Sequence, residues 1–137
     1  MVINSKLVVA AVAATMLLVG CGRATVPVEN YNDVGFTTTS KKPTLSQVKK
    51  AILTAAETKG WIVNDKGPGK MDATLTVREK HTVIVLISYT TSSFSINYVD
   101  STDMKYGIKQ GVPSIHPFYN EWVKELEEAI DIEVKQL

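Results

Sequence analysis

The chain has 137 residues, 45% of them hydrophobic, with 15 basic and 14 acidic side chains and one cysteine. This length suits one modest domain, and the near-neutral charge argues against nucleic acid as the main partner. A single cysteine forms no internal disulfide, so the fold must depend on packing rather than on covalent cross-links.

The first twenty residues have the composition of a secretory signal peptide. Lys6 and the amino terminus form a short positive region, which an uncharged run of 14 residues from Leu7 to Gly20 follows. As a helix this run is about 21 Å long, whereas the hydrocarbon core of a bilayer is roughly 30 Å thick. We therefore expect residues 1–20 to be a cleaved export signal and not a membrane span.

The end of this leader resembles the lipobox of bacterial lipoproteins. Leu18, Val19, Gly20 and Cys21 supply, in order, two aliphatic residues, a glycine and the cysteine. The resemblance implies cleavage after Gly20, a thioether-linked diacylglycerol on the Cys21 sulfur and acylation of the new amino group. A cysteine suits this reaction because its thiolate is a strong nucleophile, and several acyl chains anchor a protein more firmly than one.

The residues around the cysteine also bear on location and partners. Gly22 and Arg23 follow it, so the aspartate that retains such lipoproteins in the inner membrane is absent. In a Gram-negative host the resemblance implies an outer-membrane lipoprotein that faces the periplasm. Removal of the leader takes away Lys6 and leaves 14 basic and 14 acidic residues. The expected partner is the membrane, through the lipid anchor, and no nucleic acid is expected.

The mature sequence divides into a tether and one domain. Residues 21–42 are expected to be the lipidated N-terminus and a polar tether, with a possible short edge strand near 34–38. The domain is expected over 43–137 and begins with a helix. Thr44 and Gln47 have the spacing of a capping box at the start of this helix.

Four strand-like segments follow Gly60, which suits the end of the helix. They span residues 61–65, 71–80, 81–91 and 92–99. The second alternates apolar and polar residues, whereas the third is apolar on both faces in its middle, as a central strand is. Because the connections between them are short, the segments favour an antiparallel meander.

The closing part of the chain is predicted as a loop and a long helix. Residues 100–111 are polar and contain two glycines, and apolar residues recur at helical spacing over 114–137. We therefore predict an α+β fold: an antiparallel β-meander of three or four strands, with two helices packed on one face. The opposite face carries polar side chains and is expected to contact solvent.

The stretch from Gly60 to Trp122 resembles a group of small bacterial envelope lipoproteins. These have a helix, a β-meander and a closing helix that begins Ile-His-x-x-Tyr-Asn-x-Trp, and here residues 115–122 match that motif. The resemblance implies this fold and an envelope location, and it assigns no activity and no functional residues.

No residues form a catalytic or metal-binding motif in the sequence. The glycine-rich stretch 67–70 lacks the spacing of a phosphate-binding loop, and no serine lies in a nucleophile elbow. His81 and His116, the two histidines, lack the spacing of a zinc motif. We therefore expect no catalytic residue, no bound metal, no cofactor other than the covalent lipid, and no enzyme activity.

The sequence thus favours a lipid-anchored binding or structural module of the envelope, with an envelope protein or a small ligand as its further partner. The polar sheet face and the loop 100–111 are candidate binding surfaces. One alternative is a small-ligand carrier with an aromatic-lined cavity between sheet and helices, and a less favoured one is a hydrolase or metal site around His116. The residues expected to contribute to binding are Trp61, Tyr89, Phe94, Tyr98, His116, Asn120 and Trp122.

Overall fold

The computed structural model describes residues 23–39 and 42–137, which form an α+β fold of two helices and two antiparallel sheets. The predicted leader and Cys21 lie outside the described residues. Neither helix within those ranges is long and apolar enough to cross a membrane. The elements in chain order are β1 (Val26–Pro27), β2 (Tyr31–Gly35), α1 (Leu45–Thr58), β3 (Ile62–Asp65), β4 (Lys70–Val77), β5 (His81–Tyr89), β6 (Ser93–Thr102), β7 (Gly107–Lys109), β8 (Val112–Ile115) and α2 (Pro117–Lys135).

The larger sheet is a meander with one added edge strand. Strands β3, β4, β5 and β6 lie side by side in chain order, and β2 pairs with the outer side of β6. The predicted meander is thus confirmed. The sheet has five strands rather than three or four, because an edge strand, expected near 34–38, forms at residues 31–35 and pairs with β6.

One face of this sheet packs against both helices in a single core. Met71 faces Ile87 and Ala73 faces Val85 across β4 and β5, and all four side chains are buried. Burying a valine, isoleucine or methionine side chain contributes about 1.5–3 kcal/mol to folding. The helices add these buried residues to the core: Val48, Ala51, Ile52, Ala55 and Ala56 from α1, and Tyr119, Val123, Leu126, Ile130 and Val134 from α2.

The ends of α1 follow from its sequence. The Thr44 hydroxyl accepts a hydrogen bond from the Gln47 backbone N–H at 3.2 Å, and the Gln47 side chain accepts one from the Thr44 backbone N–H at 2.9 Å. The predicted capping box is therefore confirmed. Gly60 follows the helix with a φ of +84°, a left-handed conformation that glycine adopts without a steric penalty.

The smaller sheet, in the order β1-β8-β7, corrects the predicted loop at 100–111 and the predicted start of the second helix. Strand β6 continues to Thr102, and β7 then turns back into β8. Strand β8 includes Ser114 and Ile115, so α2 begins at Pro117. Strand pairing prevails here because it buries Ile115, whose backbone partner across the sheet is Val26.

The predicted tether is also folded in part. Val26 and Pro27 pair with β8, and the Val28 backbone N–H donates to the Pro113 carbonyl at 2.9 Å. Val28 packs against the core, which an apolar side chain in a solvated linker would not do. The folded region therefore begins before residue 43.

Candidate functional site

Four chain segments meet in space and form a cleft that has both histidines in its wall. The segments are the stretch before β1, the β4–β5 turn, the β6–β7 loop and the start of α2. We call this feature the histidine cleft. It has a volume of about 430 Å³ and is lined by Arg23, Lys80, His81, Asp103, Lys105, His116 and Phe118.

The register of β5 and β6 explains why two of these loops meet. Thr82 lies opposite Thr102, so His81 comes beside Asp103. The His81 Nδ1 is 2.8 Å from the Asp103 carbonyl oxygen, and because a carbonyl only accepts, Nδ1 carries the proton and donates. The Asp103 Oδ2 lies 3.6 Å from this Nδ1 and 3.3 Å from the Lys80 Nζ.

His116 is the N-cap of α2. Its Nδ1 accepts a hydrogen bond from the Phe118 backbone N–H at 3.1 Å, and its own backbone N–H donates to the Met104 carbonyl at 2.9 Å. Acceptance at Nδ1 leaves the proton of the neutral ring on Nε2. Burial, and then the nearby charges of Lys105 and Arg23, hold the pKa of His116 below its usual value. The neutral, capping form is therefore favoured.

The loops around the cleft contain several left-handed residues that are not glycine. Asp103 and Lys105 have φ values of 58° and 54°, and in the β4–β5 turn Arg78 and Glu79 have values of 56° and 55°. Two more such residues occur elsewhere in the described ranges. In Arg78, Glu79 and Lys105 the side chain makes this conformation cost about 1–2 kcal/mol per residue, whereas aspartate adopts it more readily. Such strain concentrates at functional sites.

A second, smaller concavity adjoins the histidine cleft and gives it an aromatic wall. The Phe118 ring lies between the rings of His116 and Trp122, with centroid distances of 4.6 Å and 5.9 Å. The Arg23 guanidinium lies 4.9 Å from the Phe118 centroid and 3.5 Å from the Glu121 Oε1. This concavity, of about 230 Å³, is lined by Val77, Arg78, His81, Phe118, Glu121 and Trp122.

Asn120 attaches the N-terminal segment to α2. Its Nδ2 donates to the Pro27 carbonyl at 2.9 Å, and its Oδ1 accepts from the Glu29 backbone N–H at 3.1 Å. Both hydrogen-bonding groups of the amide are thus used to hold the chain on each side of Val28. The side chain that the sequence suggested as a ligand contact has a structural partner instead.

The five aromatic residues predicted to line one cavity do not share one, although Tyr89 and Phe94 lie opposite each other on β5 and β6. Trp61 and Phe94 are buried in the core, with exposures of 2% and 1%. Tyr89 and Trp122 line two separate concavities, and Tyr98 packs against two other tyrosine rings. The structure therefore does not bring these five residues together, and only Trp122 lies beside the cleft.

The cations of the cleft were not predicted from the sequence. Arg23, Lys80 and Lys105 lie in three separate loops. The β4–β5 turn and the β6–β7 loop, which contain the two lysines, come together through the register of β5 and β6. That register depends on the β5–β6 turn and on the register shift between Ile84 and Val85, which the residue pattern does not show. In residues 23–39 and 42–137, no group of three or more His, Cys, Asp or Glu side chains is arranged to hold a metal ion.

The histidine cleft is thus a concave site with basic side chains, an aromatic wall and one acidic residue in its lining. Comparisons of the chain with protein-family models, with curated proteins and with solved structures find no match. The function of the cleft therefore has to be inferred from its own chemistry.

Proposed function

We propose that this protein is a lipid-anchored, non-enzymatic binding module that acts at the surface of an envelope membrane. The observation that supports this proposal is the position of Arg23, which lines the histidine cleft and is the second residue after Cys21. Two residues span about 7 Å at most. A lipid on Cys21 would therefore hold the cleft close to the headgroup layer.

The attachment of the N-terminal segment supports this short separation. Strand β1 pairs with β8, and Asn120 bonds the chain at Pro27 and Glu29. The ion pair between Arg23 and Glu121 is exposed and contributes little, so the backbone pairing and the amide are the main restraints. A domain bound in this way is expected to keep one side toward the membrane.

The residues that line the cleft favour a binding role over covalent catalysis. His116 uses Nδ1 to cap α2, and His81 uses Nδ1 to bond the Asp103 carbonyl. Covalent catalysis pairs such a ring with a hydroxyl or thiol nucleophile, and among the described residues that line the cleft none is Ser, Thr or Cys. The lining instead supplies hydrogen-bond donors and positive charge.

The proposal also includes a location for the domain. Because no aspartate follows Cys21, we propose that in a Gram-negative host the domain is held at the periplasmic face of the outer membrane. The partner of the domain would then be another component of the envelope.

The test compares the full chain with a Cys21→Ser variant in a Gram-negative host. We expect the parent chain in the membrane fraction, with mass spectrometry showing a diacylglyceryl cysteine as its first residue. The variant should lack the lipid and leave the membrane fraction, whereas an Arg23→Ala control should keep both. Equal membrane retention of parent and Cys21→Ser, or an unmodified cysteine in the parent, would overturn the proposal.

A further inference from the structure

We propose that the histidine cleft binds a phosphate group, and that an anionic phospholipid headgroup supplies it. The inference rests on the proposed function for the source of the phosphate, and on the cleft alone for its chemistry. It assigns a ligand class to the site described above.

The charges of the cleft favour an anion. Three permanent cations, Arg23, Lys80 and Lys105, line it together with both histidines and the carboxylate of Asp103. A second carboxylate, Glu121, lies in the adjoining concavity at 3.5 Å from Arg23, so three cations face two carboxylates. Lys80 is paired with Asp103 at 3.3 Å. Lys105 forms no ion pair with any part of the chain that the structure describes, so its charge is available to a ligand.

The donors of the cleft also suit a tetrahedral oxyanion. The neutral His116 ring carries a proton on Nε2, and the Arg23 guanidinium offers several N–H groups in one plane, which bind phosphate oxygens in pairs. Packing against Phe118 restricts the guanidinium, which lowers the conformational entropy that binding costs. The positive end of the α2 helix dipole adds to the field at His116.

The aromatic wall favours a lipid as the source of the phosphate. Phe118 is 37% exposed and Trp122 is half-buried beside it. Both line the adjoining concavity with Val77, so an apolar surface continues from the cleft. Tryptophan is enriched at the boundary between headgroups and acyl chains, where the glycerol part of a phospholipid lies, and Trp122 would suit that position.

The strained loops are consistent with a site built for a ligand. Asp103 and Lys105 hold left-handed backbone conformations on either side of Met104, which is buried with 3% exposure. Anchoring by Met104 projects both neighbouring side chains toward the cleft that they line. This arrangement places the unpaired Lys105 at the cleft at a cost in backbone strain.

The first experiment tests the chemistry with soluble probes. The purified, lipidated full chain is placed in phosphatidylcholine nanodiscs and titrated with inorganic phosphate and with glycerol 3-phosphate, while the ring protons of His81 and His116 are followed by NMR. We expect saturable shifts and a loss of affinity of about tenfold or more in Lys105→Ala, because tenfold corresponds to about 1.4 kcal/mol and a hydrogen bond to a charged group contributes at least that much. The matched control is Lys50→Ala, which removes an exposed lysine of α1 outside the cleft. It should bind as the parent does.

The second experiment tests the source of the phosphate. Nanodiscs that contain phosphatidylglycerol should weaken the binding of soluble phosphate by competition, and Lys105→Ala should reduce this competition. If soluble phosphate binds equally well in both kinds of nanodisc, the phosphate site stands, but the headgroup is overturned as the source of the phosphate. Unsaturable shifts, or equal losses in Lys105→Ala and Lys50→Ala, would overturn the site itself.

These results are separable from the test of the anchor. A lipidated chain that binds no phosphate would overturn this inference and leave the proposed function standing. An unlipidated chain that binds phosphate in detergent would overturn the lipid anchor of the proposed function and would support the phosphate site.

Discussion

Tyr119 has a fully buried ring at the start of α2, and its hydroxyl has no hydrogen-bond partner among the described residues. Burial raises the pKa of this hydroxyl above its usual value, so the group stays neutral. An unpaired buried polar group costs about 1–3 kcal/mol. We therefore expect Tyr119→Phe to raise the free energy of unfolding by about 1 kcal/mol in urea denaturation.

A second tyrosine provides the matched control for this change. The Tyr98 hydroxyl lies 2.8 Å from the Ser101 Oγ, so Tyr98→Phe should lower the free energy of unfolding by about 1 kcal/mol. If both variants lose stability equally, the Tyr119 hydroxyl has a bonding partner and the prediction is wrong.

His116 should make stability depend on pH. Burial, followed by the charges of Lys105, Arg23 and His81, lowers its pKa in the folded state, and Glu121 opposes this. The unfolded chain then binds more protons than the folded one, so the free energy of unfolding rises with pH. This contribution is fully present above the unfolded pKa of about 6.5 and is lost as the pH falls below that value.

Two substitutions of His116 separate its titration from its capping role. His116→Asn keeps a good N-cap side chain, so it should preserve stability above the unfolded pKa and reduce the pH dependence. His116→Ala should lose about 1 kcal/mol at the same pH, because the Phe118 N–H loses its partner. Urea denaturation on both sides of about pH 6.5 measures these effects. An undiminished pH dependence in His116→Asn would assign it to other groups.

The β4–β5 turn carries strain that a substitution can remove. Its residues Arg78 and Glu79 both have positive φ values, a geometry for which two-residue hairpins favour Asn-Gly. Glu79→Gly should therefore raise the free energy of unfolding by about 1 kcal/mol. In the control, Glu57→Gly in the right-handed helix α1 should lower it by about 1 kcal/mol. A loss of stability in both variants, measured in urea, would contradict the assigned turn strain.

The sequence predicts the elements whose signals are local. The capping box of Thr44 and Gln47 and the alternation along β4 lie within a few neighbouring residues, and both are confirmed. Strands β1, β7 and β8 have two to four residues, too few to show a periodicity. Their pairing depends on partners far along the chain, as for Val26 and Ile115.

The candidate site was less predictable than the fold for the same reason. Lys80 and Lys105 line the same cleft only because of the register of β5 and β6 and the turn after β6. The residue types alone do not distinguish these lysines from the others on the surface. The sequence identifies His116 as a candidate. Predicting its capping hydrogen bond requires the correct start of α2, which lies at Pro117 because β8 extends to Ile115.

At the scale of the whole molecule, the N-terminal strands belong to the folded domain. Phe36 is 8% exposed in the core, with its ring centroid 6.3 Å from that of Phe94. A chain cut to the predicted domain 43–137 loses this residue and the partners of β6 and β8. We expect its free energy of unfolding to be about 3 kcal/mol lower than that of a chain spanning 23–137, because losing one buried phenylalanine costs about 3–5 kcal/mol.

Two further chains make this comparison specific. Phe36→Ala in the 23–137 chain measures the core contribution alone, and Thr37→Ala, at an exposed neighbour, should change little. Equal urea midpoints for 43–137 and 23–137 would show that residues 23–39 add nothing to the domain.

The pairing of β1 with β8 also sets the order in which the chain can fold. Val26 and its partner Ile115 lie far apart in the sequence, so this pairing closes a long loop and is expected to form late in folding. The meander can form earlier, because its strands are neighbours in sequence. The N-terminal segment is therefore expected to pair with β8 after the meander has formed. The segment next to the predicted leader is then expected to stay extended longest, which suits the proposed export, since a narrow secretion channel admits an extended polypeptide.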